Sequence, residues 1–238
     1  MIKIISIFLH LFYGFFFSLY ILYINENPKK QFIKSWSSKL LKILHINLTV
    51  DKDINTILSK NNYLIVSNHI SWIDIFLINS IYPVTFLSKA SVANWPLIGK
   101  LTKSANTIFI NREKLSDLKN TSDQIEFFLE KKGSVYFFPE GTATDGSSLL
   151  PFKSNLFQTA INTNKDILPI CIKYTNQNKF TAAPSYCGDM SLFNSLLNLI
   201  KLKNINANLT ILPSIKYKQS RKDLAKNAYI KINQALNY

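Results

Sequence analysis

The chain is poor in the residues that punctuate and cross-link small folds. Among its 238 residues are only 6 Gly, 8 Pro and 2 Cys. So little glycine and proline excludes a collagen-like or low-complexity chain. Two cysteines cannot staple a disulfide-rich secreted scaffold. One of them, Cys171, sits in the apolar run Ile170-Cys171-Ile172, where a buried and inert thiol is expected. There are 3 histidines, and without a Cys/His cluster the sequence offers no ligand set for a metal. Acidic residues are also few: 14 Asp and Glu stand against 28 Lys and Arg, a formal net charge of +14. Hydrophobic residues nevertheless reach 47% and charged ones only 18%, which excludes intrinsic disorder. A basic, oily chain fits an anionic and greasy surface, the membrane. Nucleic acid fits less well, because the positive charges are scattered among apolar runs and no reading motif is present.

Apolar sequence is concentrated at the amino terminus. From Ile4 to Ile24 the chain reads IISIFLHLFYGFFFSLYILYI, 21 residues without a formal charge. At about 1.5 Å per residue such a helix reaches roughly 30 Å, the thickness of a hydrocarbon core. The run is longer than a signal-peptide core of about 7–15 residues. Asn25-Glu26-Asn27-Pro28-Lys29-Lys30 follows it, in place of a small-x-small cleavage site. Lys29, Lys30, Lys34, Lys39 and Lys42 come after the run and Lys3 before it, so the positive-inside rule puts the body of the protein in the cytoplasm. A helix lying in the membrane plane is the alternative to a crossing. Gln31–Leu44 is a basic amphipathic helix that either lies in the lipid interface or packs on the protein's own core. Ser191–Lys203 has the same character and the same two readings.

From Ile46 onward short β-rich runs alternate with helical patterns. Strands are expected at Asn47–Val50, Tyr63–Ser67, Val84–Ser88, Thr107–Asn111, Ser134–Phe138, Ile167–Tyr174 and Asn208–Leu212. Helices are expected at Trp72–Ile81, Pro96–Lys103, Ser116–Lys131, Ser154–Asn164 and Asp223–Leu236. Runs such as Val135-Tyr136-Phe137-Phe138 are apolar throughout, as in a sheet covered by helices on both faces. The alternation predicts an α/β fold. No repeat and no Pro/Gly/Ser-rich linker divides it. Residues 1–30 therefore read as a membrane anchor and 31–238 as one domain.

Three places carry chemistry. The strand Tyr63–Val66 runs into Ser67-Asn68-His69-Ile70-Ser71-Trp72-Ile73-Asp74, setting His69 just past a buried strand, where α/β sheets display functional groups. Asp74 has two readings. It can bond one imidazole nitrogen and leave the other free as a base, or complete a helix capping box with Ser71. A cap tolerates Asp74→Glu or Asp74→Gln; an imidazole partner does not tolerate Gln. A second knot, Phe138-Pro139-Glu140-Gly141-Thr142, again closes an apolar strand and is also good turn chemistry. Third, Thr107–Asn111 delivers Arg112, whose guanidinium either clasps a phosphate through two parallel hydrogen bonds or pairs in solvent with Glu113.

Together and in this order, these pieces resemble the 1-acylglycerol-3-phosphate acyltransferase family of lysophospholipid acyltransferases. The family's N-H-x-S-x-x-D is matched by Asn68 to Asp74, its G-x-x-F-I-x-R by Phe109 to Arg112, and its F-P-E-G-T-R-S by Phe138 to Thr142. Ile167-Leu168-Pro169-Ile170 resembles its fourth element, and the likeness spans about residues 60–175. Asn106 stands where the second motif has glycine, and Ala143 and Thr144 stand where the third has arginine and serine. The resemblance implies a mixed, largely parallel sheet flanked by helices behind the amino-terminal membrane helix. It also implies O-acyl transfer from acyl-CoA or acyl carrier protein to the sn-2 hydroxyl of lysophosphatidic acid, giving phosphatidic acid, with neither cofactor nor metal. His69 and Asp74 are then catalytic, while Arg112, Glu140, Gly141, Thr142 and Lys153 bind substrate. The enzyme would sit at the bacterial inner membrane with its catalytic domain facing the cytoplasm. Ala143 resembles relatives that acylate lyso-ornithine lipid, whose head carries no phosphate. A non-catalytic module for anionic lipid is the reading from outside enzymology.

Overall fold

The computed structural model describes residues 2–20, 24–95, 98–111, 115–131 and 133–236. Five strands run parallel in the middle and one flank of a single sheet: β4 (Ile108–Ile110), β3 (Thr85–Lys89), β5 (Val135–Phe137), β2 (Leu64–Ser67) and β6 (Ile167–Asn176), in that spatial order. Beyond β6 the direction reverses. Strand β8 (Ile205–Ile211) lies antiparallel to β6, β1 (Ile46–Val50) lies parallel to β8, and the short β7 (Lys179–Phe180) pairs with the far end of β6. The architecture is the mixed, largely parallel sheet that the alternating pattern predicts. Strands β2 and β5 are buried along their whole length, which is why their sequences carry no polar alternation.

Side chains of β2 divide between two cores. Ile65 faces one with α4 (Ile73–Ile81) and α2 (Glu26–Leu44); Leu64 and Val66 face the other with α6 (Leu115–Lys131) and α9 (Arg221–Leu236). Shorter helices α3 (Ile54–Lys60), α5 (Ile98–Ser104), α7 (Gln158–Asn162) and α8 (Leu192–Lys201) complete the flanks. All five parallel strands end on the same edge. The turns after β2 and β5 meet there, and β4 brings the chain to Asn111 on that edge. Arg112 itself lies outside the described residues.

The amino-terminal run forms α1 (Ile2–Tyr20), which lies along α2. Its buried positions are Ile7, His10, Gly14 and Ser18, spaced three and four residues apart on one stripe, as helix geometry requires. Gly14 is there for space: a Cβ would stand 2.8 Å from the Trp36 ring. That ring stacks on His10 at 4.7 Å and donates from Nε1 to the His10 carbonyl at 3.1 Å. Phe17 stacks on Phe32 nearby. The opposite stripe is bare: Phe8 is 66% exposed, Leu9 58% and Phe12 53%. Lys3 holds α1 to α8 by donating to the carbonyls of Ile200 and Leu202 at 3.2 and 3.1 Å.

Helix α2 runs unbroken through the boundary expected at residue 30. It packs on the protein's own core through Leu40, Leu41 and Leu44, and leaves Lys30, Lys34, Lys39 and Lys42 in solvent. In α8 the inward residues are Ser195 and Leu199, whereas Phe193 is 67% exposed.

Candidate active site

The site is assembled at the carboxyl end of β2. Asn68 is buried and uses its amide as a strand would use its backbone. Its Nδ2 donates to the Ile172 carbonyl at 2.8 Å and its Oδ1 accepts from the Ile172 amide at 2.8 Å. The ladder between β2 and β6 is thereby prolonged while the chain itself turns away, and the next residue, His69, is raised above the sheet edge.

Two backbone bonds fix that turn. The His69 amide donates to Glu140 Oε1 at 2.7 Å, and the His69 carbonyl accepts from the Thr144 amide at 2.9 Å. The imidazole stacks on Phe138, centroids 3.8 Å apart and planes 13° from parallel, and remains 19% exposed. Its Nδ1 meets Asp74 Oδ2 at 2.8 Å. The same Oδ2 accepts from the amides of Ile70 at 2.8 Å and Ser71 at 2.9 Å. Both readings of Asp74 therefore hold at once, since one carboxylate closes the first turn of α4 and faces the imidazole. The Ser71 half of the capping box is weak, with the Ile73 amide 3.4 Å from Ser71 Oγ. A neutral imidazole that donates from Nδ1 to a carboxylate has its lone pair on Nε2.

Glu140 is almost wholly buried. Oε1 holds His69, and Oε2 accepts from the Leu150 amide at 2.9 Å. Burial pushes this carboxyl above the usual carboxylate range, and the two amide bonds oppose the rise. Both oxygens are thus taken by backbone, and the side chain ties the His69 turn to the segment that leads to Lys153. Gly141 turns the chain at φ 83°, in the left-handed region that favours glycine. Asn106, which replaces the motif's glycine, has φ 57°. Asparagine is among the residues that tolerate this region, so the turn before β4 survives the replacement. Lys29 of α2 donates to Asn106 Oδ1 at 3.0 Å.

His69 opens onto a cleft of about 680 Å³. One wall is apolar and comes from α1 and α2, with Ile7, Leu11, Phe32 and Trp36. The opposite side carries Gly141, Thr142 and Lys153. Lys89 and Lys153 are the cationic residues along it among the described residues. The structure thus gathers His69, Asp74, Glu140, Gly141, Thr142 and Lys153 at one sheet edge, with Glu140 beneath the cleft and not on its surface.

The sequence pattern of the family described as Acyltransferase matches residues 45–173, more than half of the chain. The chain belongs to the acyltransferase family. The 1-acyl-sn-glycerol-3-phosphate acyltransferase of Neisseria gonorrhoeae is 36% identical over 146 residues, 61% of this chain and 57% of that protein. The chain therefore spans little more than half the length of that relative. The lyso-ornithine lipid O-acyltransferase of Pseudomonas aeruginosa is 30% identical over 209 residues, 87% of this chain and 79% of that one. The crystal structure of the 1-acyl-sn-glycerophosphate acyltransferase PlsC from Thermotoga maritima shares the fold. Its TM-score is 0.68 at 19% identity, covering 99% of this chain and 96% of that one.

Three contacts of the candidate site carry no signal in the sequence reading: the Asn68 amide, the Phe138 ring beneath His69, and Tyr174, whose hydroxyl donates to Asp74 Oδ1 at 2.7 Å. Asn68 and Phe138 were visible as motif letters without a role. Tyr174 lies 100 residues from its partner, and nothing local signals the pairing.

Proposed function

We propose that the protein is an O-acyltransferase of phospholipid synthesis, carrying an acyl chain from acyl-CoA or acyl carrier protein to the free sn-2 hydroxyl of lysophosphatidic acid. The observation that supports this best is the setting of His69: an imidazole held at Nδ1 by a buried carboxylate, at the end of an apolar cleft. Nε2 takes the hydroxyl proton as the lipid oxygen attacks the thioester carbonyl. The tetrahedral intermediate collapses, the carbon–sulfur bond breaks, and the imidazolium returns the proton to the departing thiolate. Asp74, bonded to Nδ1, stabilises the imidazolium. No G-x-S-x-G elbow is present to supply a covalent nucleophile. Gly141, Thr142 and Lys153 flank the acceptor's polar head, with Arg112 as its phosphate ligand. Glu140 serves the acceptor site through the backbone it holds.

Residues 1–30 anchor the enzyme on the cytoplasmic face of the bacterial inner membrane. The exposed apolar stripe of α1 faces lipid, and Lys30, Lys34 and Lys42 face anionic head groups, each worth about 1 kcal/mol near such a surface. A helix docked along the body supports an in-plane position over a free crossing. Lyso-ornithine lipid is the second acceptor to weigh, because Ala143 removes a cation that a phosphate would use and because the Pseudomonas relative covers most of the chain.

Purified protein with a labelled acyl donor, offered lysophosphatidic acid and lyso-ornithine lipid side by side, tests both. Faster labelling of lysophosphatidic acid, lost on Arg112→Ala, is the expected result. Preference for the ornithine lipid with little effect of Arg112→Ala reassigns the acceptor. No labelled product from either acceptor returns the protein to a lipid-binding role.

A further inference from the structure

Strand β6 restrains the catalytic turn at two places two residues apart. At Ile172 its backbone holds the Asn68 amide. At Tyr174 its side chain passes under α4 and donates from the hydroxyl to Asp74 Oδ1 at 2.7 Å. Both Tyr174 and Asp74 have no solvent exposure. The Asp74 carboxylate then receives His69, Ile70 and Ser71 on Oδ2 and Tyr174 on Oδ1, close to the most a carboxylate can accept. Burial, the Asp74 charge and the bond itself push the Tyr174 phenol well above its ordinary value, so the hydroxyl keeps its proton and donates.

We propose that Tyr174 is a positioning residue of the acyl transfer, setting the proton affinity of His69 through Asp74. This rests on the reading of His69 as the base. A donor on Oδ1 spreads the carboxylate's charge and weakens its pull on the imidazolium at Oδ2. With the donor removed, Asp74 becomes the stronger partner and His69 binds its proton more tightly. The hydroxyl also keeps Oδ2 turned toward Nδ1, because a carboxylate rotated about its Cβ–Cγ bond would lose it. Other titratable groups around the pair, among the described residues, are Glu140 after β5 and Tyr136 on β5; Cys171 of β6 lies in the core on the other face of the sheet. Tyr186, Cys187, Lys89 and Lys153 lie along the cleft. Among these described groups, none besides Tyr174 and His69 has a side-chain hydrogen bond to Asp74.

The test follows the His69 imidazole by NMR titration of histidine-labelled protein in detergent, with assignment by His69→Ala, beside the pH profile of acyl transfer. Tyr174→Phe keeps the ring and removes the donor. The His69 pKa and the acid limb of kcat/KM should both rise by about half to one pH unit. Its kcat should fall about tenfold or more with KM for the lysolipid unchanged. Replacing Tyr174 by 3-fluorotyrosine, a more acidic phenol of nearly the same shape, should move the His69 pKa the other way. An unmoved His69 pKa in both proteins overturns the proposal, even if Tyr174→Phe lowers Tm. If Tyr174→Phe does not fold, the fluorotyrosine protein decides alone. Absence of acyl transfer in the unaltered protein defeats the functional reading instead, and the titration still decides whether Tyr174 governs the imidazole.

Discussion

The His69 turn and the α1–α2 pair are built from opposite materials. Around His69, apart from the Phe138 ring beneath it, the contacts are directed bonds between named atoms, and the carboxylates and amide that hold the turn are buried and partnered. Between α1 and α2 the contacts are mostly ring faces and a missing side chain, and half of α1 is left bare. The first arrangement fixes one atom, Nε2, against the end of a cleft. The second fixes a surface and turns an apolar stripe outward. The proposed reaction would use both, the first for proton transfer and the second for holding the site against lipid.

The contrast is sharpest in His69→Ala. A positioned base contributes about 10²–10⁴-fold, so acyl transfer should lose about 3–5 kcal/mol of barrier lowering. Tm should fall far less than the rate, because the backbone bonds of the turn run through the His69 amide and carbonyl and survive the substitution. Rates and melting on the same preparation check this, and normal rates would break the comparison. Gly14→Leu attacks the other region. The Trp36 ring cannot yield easily while it is stacked on His10 and bonded to its carbonyl. Overpacking there should cost about 1–3 kcal/mol and loosen α1, read as faster proteolysis of the amino-terminal helix with the His69 titration unchanged. A smaller effect lies where α2 meets the turn before β4, at Asn106. Both Asn106→Ala and Asn106→Gly lose the bond to Lys29, but only alanine is strained at φ 57°. Denaturation in detergent should find alanine worse by about 1 kcal/mol.

Glu140 gives the gentlest test. Its folded-state pKa lies above the ordinary carboxyl value, so its contribution to stability is full below that ordinary value and declines as pH rises through the raised one. Glu140→Gln does not titrate. The Tm of the native protein minus that of the variant should therefore shrink as pH rises above the ordinary carboxyl range, and a growing difference would contradict the burial argument.

Much of the fold could be read from the chain because buried parallel strands have no polar positions to confuse the pattern. The exceptions have local causes. Strand β8 begins at Ile205, three residues before the expected Asn208, because asparagines occupy its outward positions and asparagine is a poor strand former. Helix α3 escaped notice: it is 7 residues long and marked only by Asp53, whose side chain accepts the Asn55 amide. The expected helix Ser154–Asn164 begins as a tight 3-10 turn over Asn155–Phe157 before α7. In the site, His69 and Asp74 were legible because five residues separate them. Glu140 was read as a turn or a head-group contact, since its two partners are amides, which carry no mark in a sequence. Tyr174 was illegible for the reason its role is interesting: it reaches the site through the sheet.

The side chain of Asn68 must give a hydrogen and take one, in opposite directions, against a single residue of β6, Ile172. Few side chains of its size do both. If its nitrogen were lost by spontaneous deamidation, a carboxylate would face the Ile172 carbonyl and a new negative charge would stand under the turn that lifts the imidazole. That one lost nitrogen would be a fault in the hinge between sheet and imidazole.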